Sequence, residues 1–136
     1  MSTYNYDRSA RVKTAMRGSL WAAIGEVFEA FTEKLANDLV GHLPPGWRLQ
    51  RIVGGPMNQI TASARFDNGK GDEIGMGLHL GKDLHVEGYA ALQLGRDMKS
   101  NLKIKFDAFS SPEVVARNVG AELNKLFAAD ATFTRL

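Results

Sequence analysis

The sequence has 136 residues, of which 44% are hydrophobic and 24% are charged, with a formal net charge of +2. This length and composition are typical of one folded domain, which we expect to cover residues 1–136. The sequence contains no cysteine, which excludes disulfides, thiolate nucleophiles and cysteine-ligated metal centres. The small positive charge permits contact with nucleic acid without demanding it.

The first stretch, MSTYNYDRSARVK, lacks the apolar segment of a secretory signal. No apolar run in the sequence approaches the ~20 residues that a membrane-spanning helix needs. We therefore expect the protein to act in the cytoplasm and to have no membrane partner. Residues 1–7 are predicted to form a flexible arm. An acid-free run of positive charges follows it, made of Arg8, Arg11, Lys13 and Arg17.

The strongest helical pattern is SLWAAIGEVFEAFTEKLANDLVGHL. Its large apolar residues fall within one arc of about 120° at the spacing of an α-helix, and its glutamates fall opposite. The pattern predicts helical structure over residues 9–40, either as one helix or as two helices separated at Gly18. Gly41 is predicted to end this region, because glycine is common just after the last helical residue.

Five segments of alternating apolar and polar residues follow between residues 47 and 108. The connections between them are short, which favours antiparallel hairpins and a meander sheet. A second amphipathic segment predicts a helix over 111–128, capped either by Ser111 before Pro112 or by a capping box from Ser110 to Glu113. The predicted fold is an α+β two-layer sandwich, with both long helices on one face of a five-stranded antiparallel meander sheet.

Alternation assigns each strand residue to the helix side or to the solvent side of this sheet. Pairing Leu80 with Leu84 and Leu92 with Leu102 keeps the apolar residues on the helix side. Extending the pairing to the preceding strand places Thr61 beside His79. The side away from the helices is then predicted to carry Thr61, Ser63, Arg65, His79, His85, Glu87, Tyr89, Lys103 and Lys105.

Two histidines and a glutamate on this side raise the question of a metal or catalytic site. His79, His85 and Glu87 have the side chains for a zinc site completed by water, or they are solvated residues of an ordinary sheet face. Ser63 near His79 is the one candidate nucleophile pair, and it has neither a glycine elbow nor an orienting acid. No phosphate-binding loop or dinucleotide fingerprint is present. We therefore predict no enzyme, no cofactor and no metal, and leave the role of this trio open.

The first functional hypothesis is a non-catalytic protein-binding module, such as an inhibitor, an adaptor or a chaperone-like subunit, that forms homo-oligomers. Trp21 and Leu39 lie at the edge of the apolar arc of the long helix, where a second protomer has room to cover them. Trp47 follows a Pro-Pro-Gly turn and is a further candidate. Tryptophan is enriched at the energetic centres of protein interfaces, although Trp21 and Trp47 also suit a single core.

The alternative hypothesis is binding of single-stranded nucleic acid. Arg65, Lys103 and Lys105 surround Tyr89 on the predicted solvent side, which is the combination of charge and stacking ring that single strands require. Tyr89 is predicted to lie opposite Gly75, so its ring either packs over bare backbone or is available for stacking. The further basic residues of this hypothesis are Arg8, Arg11, Lys13 and Arg17, with Arg48 and Arg51 as additions.

Overall fold

The computed structural model describes residues 6–55, 60–95 and 97–129, and it describes the backbone alone at residues 6–22, 82 and 98–100. Helix α1 (Tyr6–Val40) comes first and helix α2 (Pro112–Ala129) comes last. Between them are strands β1 (Arg48–Gly54), β2 (Thr61–Asp67), β3 (Glu73–Leu80), β4 (His85–Leu94) and β5 (Asp97–Asp107). The strands form one antiparallel sheet in the order β1-β2-β3-β4-β5. The predicted α+β fold is confirmed.

One core lies between the helix layer and the sheet. Both helices contribute side chains to it, and so do β2, β3, β4 and β5. Helix α1 packs against β1, β2 and α2, while α2 also contacts β5. Burial of this much apolar surface is the main driving force for such a fold. Its largest fully buried apolar side chains are Phe66, Leu35, Leu39, Ile74, Met76, Leu92 and Leu123.

The helix ends agree with most of the sequence signals. Helix α1 is continuous through Gly18, so the possible break there is absent, and it begins at Tyr6, inside the stretch predicted to be a flexible arm. Residues 1–5 of that arm lie outside the described residues. Helix α2 begins at Pro112, where the Val114 N–H donates to Ser111 Oγ at 3.3 Å, so Ser111 is the cap.

No helix in the described part of the chain is long and apolar enough to cross a membrane.

The predicted pairing of Leu80 with Leu84 is wrong by two residues, because Leu80 pairs with Val86. A 3-10 turn at Lys82–Leu84 lengthens the connection, and the Gly81 N–H donates to the His85 carbonyl at 2.8 Å to close it. Leu84 has a φ of 54° and is 52% exposed. A shift by two residues leaves the paired side chains of β3 and β4 on their predicted faces, because strand side chains alternate with a period of two.

The β4–β5 pairing also differs by two residues from the prediction. Leu92 pairs with Ser100, and Leu102 pairs with Ala90. Strand β5 starts at Asp97, within a segment predicted to be a turn, because Leu94 and Asp97 already pair around Gly95, which has a φ of 63°. The predicted neighbours on the other side of β3 are confirmed, with Thr61 opposite His79.

Gly88 on β4 lies directly against the backbone of β3. A Cβ atom built at Gly88 would clash with the backbone carbonyl of Gly77. Only glycine fits here without moving one of the two strands. At Gly75, on the opposite side of the sheet, an added Cβ would meet no heavy atom of the described residues within 4 Å.

We expect Gly88→Ala to lower the free energy of unfolding by about 3 kcal/mol, as overpacking against backbone does. Gly75→Ala is the matched control, and we expect it to change this free energy by less than ~1 kcal/mol. Urea unfolding followed by circular dichroism measures both values. Equal stability of the two variants would contradict the close approach of β3 and β4.

Candidate functional site

The side of the sheet away from both helices, here called the outer face, carries the candidate site. The pairing of the strands aligns its outward residues in three rows. The middle row consists of Val53, Ser63, Gly77, Tyr89 and Lys103. The row nearer the β2–β3 turn consists of Arg51, Arg65, Gly75, Ala91 and Asn101. The row nearer the β3–β4 turn consists of Thr61, His79, Glu87 and Lys105.

The centre of the outer face is an open trough. Ser63 and Gly77 form its floor on β2 and β3, and Val53 and Tyr89 form its walls on β1 and β4. The trough has a volume of about 310 Å³. Among the described residues, no heavy atom lies within 4 Å of where a Cβ of Gly77 would be. The walls stand three strand spacings apart, or about 14 Å, so the floor is wide enough for a planar group.

The Tyr89 ring is exposed to solvent and does not pack over the neighbouring glycine. Tyr89 lies opposite Gly77 instead of the predicted Gly75. Its ring leaves the space above Gly77 empty, and its side chain is 57% exposed. Within the described residues the ring makes no stacking contact with another ring. The prediction that it packs over glycine is therefore wrong, and the prediction of an accessible ring is the one that the geometry favours.

Two arginines face each other at one side of the trough. Arg51 and Arg65 are paired residues of β1 and β2, and both are exposed. Neither forms a hydrogen bond or ion pair within the described part of the chain. Arg48 differs, because its Nε lies 3.0 Å from Asp67 Oδ1. Like charges at directly opposite positions are unfavourable, and an anion between two guanidinium groups would relieve the repulsion.

Strand β1 brings Arg51 to the outer face through a bulge between Leu49 and Arg51. Without it, Arg51 would share the inward face of Leu49, because residues two apart in a strand point the same way. The bulge turns Arg51 outward and Ile52 toward the core. The signal was present in the sequence, since the apolar pair Leu49 and Ile52 is three residues apart, which strict alternation cannot accommodate.

The lysines of β5 differ in how strongly they are already paired. Lys105 Nζ lies 3.5 Å from Glu87 Oε1, and Glu87 Oε2 lies 3.9 Å from His79 Nε2. Lys103 lies opposite Tyr89 and has no acidic partner among the described residues. Among the described side chains of the outer face, the cations without a counter-charge are therefore Arg51 and Arg65 on one side of the trough and Lys103 on the other.

The histidines are not brought together as a metal site would require. His85 lies opposite Asp107, whereas His79 lies opposite Glu87. Among the described residues there is no group of three or more histidine, cysteine, aspartate or glutamate side chains suited to a metal ion. Ser63 lies opposite Gly77 and forms no hydrogen bond with His79.

The structure places two of the three residues predicted for a protein interface in the core. Leu39 is fully buried, and Trp47 is 6% exposed because its ring stacks on Phe127 at a centroid distance of 5.7 Å. Both belong to the core, so neither is available to a partner in the folded chain. The side chain of Trp21 lies outside the described residues. The same holds for the side chains of Arg8, Arg11, Lys13 and Arg17, whose backbone belongs to α1.

Comparison of the chain with protein-family models, curated protein sequences and solved structures finds no match. Function is therefore inferred from the geometry of the outer face.

We expect Arg51→Gln to raise the free energy of unfolding by about 0.2–1 kcal/mol at low salt, because it removes a cross-strand repulsion with Arg65. The gain should shrink as added salt screens the two charges. Arg48→Gln is the matched control and should lower stability, since Arg48 pairs with Asp67. Urea unfolding at about 20 and 500 mM salt measures both effects. Destabilisation of similar size by both variants would contradict the repulsion.

Proposed function

We propose that this protein is a non-catalytic binding protein that holds single-stranded nucleic acid on the outer face of its sheet. The observation that carries this proposal is the exposed ring of Tyr89 beside an open trough, with unpaired cations on both sides of it. Single-strand binding proteins combine a positively charged path for the backbone with aromatic rings for the bases.

A base stacks on Tyr89 and lies over the floor of the trough. The floor suits a planar ring, because Gly77 has no side chain and Ser63 has a small one. Stacking of a base on an aromatic side chain contributes about 1–3 kcal/mol and tolerates any base, because every base has a π-face. This predicts binding with little sequence preference.

The phosphates lie on either side of the stacked base. Arg51 and Arg65 form a paired guanidinium site on β1 and β2, which is suited to the oxygens of one phosphate. Lys103 on β5 provides a single charge on the far side of Tyr89. Lys105 contributes less, because Glu87 already pairs with it. The basic segment containing Arg8, Arg11, Lys13 and Arg17 would add further phosphate contacts.

A single strand suits this surface better than a duplex. The ring of Tyr89 stands on a sheet face, and a paired base inside a helix cannot stack on it without leaving its own stack. Single strands present unstacked bases that an aromatic side chain can reach directly. We propose the cytoplasm as the site of action, where a cysteine-free chain has no need of an oxidising compartment.

A second candidate function is binding to another protein, as an inhibitor, adaptor or chaperone-like subunit or as a homo-oligomer. The observation that favours it is a different surface, where α2 meets β5. Phe109 is 82% exposed and Val114 is 41% exposed there. Exposed apolar side chains gathered at one place mark interaction surfaces.

Fluorescence anisotropy of a labelled oligothymidine, titrated with the protein at about 50 and 200 mM salt, tests the proposed function. We expect the wild type to bind and to weaken steeply as salt rises. Tyr89→Leu should weaken binding about 5- to 150-fold at either salt concentration, because it removes a stacking ring. Arg65→Gln should weaken binding and reduce the salt slope by about one.

Arg117→Gln is the matched control, because Arg117 is exposed on α2 in the helix layer, away from the outer face. We expect this variant to bind like the wild type. Absence of binding at the lower salt concentration would overturn the proposal. Equal losses in Arg65→Gln and Arg117→Gln would also overturn it, since binding would then follow net charge rather than the outer face.

A further inference from the structure

Strand β5 forms one edge of the sheet and has no partner on its second side among the described residues. The Ala108 N–H donates to the Leu84 carbonyl at 2.8 Å, so Ala108 directs its backbone groups toward β4. Backbone groups alternate along a strand, so those of Lys103, Lys105 and Asp107 point away from β4. These groups form a row of donors and acceptors that another strand can pair with.

An apolar groove of about 230 Å³ runs beside this edge, between β5 and α2. Its β5 side is formed by Leu102, Ile104 and Phe106, and the partly exposed Val114 lies on its α2 side. A free strand edge next to exposed apolar side chains is a site of association unless it is covered.

We infer that a second copy of this chain covers the edge, through antiparallel pairing of β5 with its own symmetry mate about a two-fold axis at Lys105. In this register Lys103 of each copy lies opposite Asp107 of the other, which gives two charge-complementary pairs. Ile104 of each copy lies opposite Phe106 of the other, on the side of the grooves. The two Lys105 side chains face each other, and each is already paired with its own Glu87 at 3.5 Å.

Neighbouring registers are less favourable. Moving the axis to Ile104 places Lys103 opposite Lys105 twice and Asp107 opposite Asn101, so both pairs between Lys103 and Asp107 are lost. Moving it to Phe106 leaves three residues of β5 in the pairing, since the strand ends at Asp107. Sliding one copy of β5 by a single residue from any of these registers places core residues of one copy opposite solvent-facing residues of the other. Lysines on an edge strand ordinarily discourage pairing, but here Lys103 meets a carboxylate.

The two-fold axis runs perpendicular to the sheet, so the dimer has one continuous sheet and its two outer faces lie on the same side. The two Tyr89 positions are then separated by three strand spacings across the dimer, or about 14 Å, and by their offset along the strands. One single strand can contact both troughs, with its phosphates on Arg51 and Arg65 of each copy, because Lys103 is then paired with Asp107 of the other copy. This consequence rests on the proposed function, whereas the pairing of the two copies does not.

Sedimentation velocity without nucleic acid tests the pairing. We expect the wild type to form dimers at micromolar concentration. Lys103→Glu and Asp107→Lys should each raise the dimer dissociation constant at least tenfold, because each brings like charges together twice. An equimolar mixture of the two variants should recover the dimer, since both charge pairs are then complementary. Variants that merely fail to fold cannot rescue each other in this way.

Disulfide trapping is an independent test, because the chain contains no cysteine. In the inferred register the Cα atoms of the two Lys105 residues lie about 5.5 Å apart, which is within disulfide range. Lys105→Cys should therefore form a covalent dimer on mild oxidation, and Asn101→Cys, which lies eight residues out of register with its own mate, should not.

A wild type that stays monomeric, charge variants that still form dimers alone, or equal trapping of the two cysteine variants would overturn the inference. These experiments use protein without nucleic acid, so a negative result would not bear on the proposed function, which the anisotropy titration tests separately. Failure of nucleic-acid binding would likewise leave the dimer standing.

Discussion

Coverage of only one side of the sheet by both helices is the constraint on which the rest of this structure depends. Helix α1 packs over β1 and β2 and against α2, while α2 reaches toward β5. Because strand side chains alternate, the inward positions must be apolar and the outward positions meet solvent. Close packing at Gly88 and Gly77 helps to hold the central strands together. The composition of the outer face is therefore not dictated by the core.

The composition of that surface departs from what stability alone would favour. Two arginines lie directly opposite each other, a tyrosine ring stands exposed, and the strand between them carries glycines where a side chain would fit. Alanine at an open strand position such as Gly75, or an acid opposite Arg65, would stabilise the sheet. Local choices that conflict with stability are expected at functional sites. The same departures give the face room, charge and a stacking ring.

The faces of the sheet follow from the sequence, because alternation with a period of two survives any error of two residues in register. The registers themselves depend on loops that alternation does not describe. Leu84 completes the apolar pattern of β4, yet it lies in the connection between β3 and β4. Its backbone has a positive φ, which residues other than glycine rarely adopt. The position of Leu39 on its helix arc shows that it borders the core, but only the packing of α2 shows that it is covered. The trough was not predicted from the sequence. The bulge in β1 turns Val53 to the outer face, where it forms one wall, and strict alternation does not describe a bulge.

Photochemical cross-linking tests most directly where a nucleic acid binds. The wild-type protein would be irradiated with an oligothymidine containing a photoreactive base, digested, and mapped by mass spectrometry. We expect the main cross-link on the peptide that contains Tyr89, with further cross-links on β5 near Lys103. Cross-links confined to the helices, with none on the outer face, would contradict the assignment of this face as the binding surface.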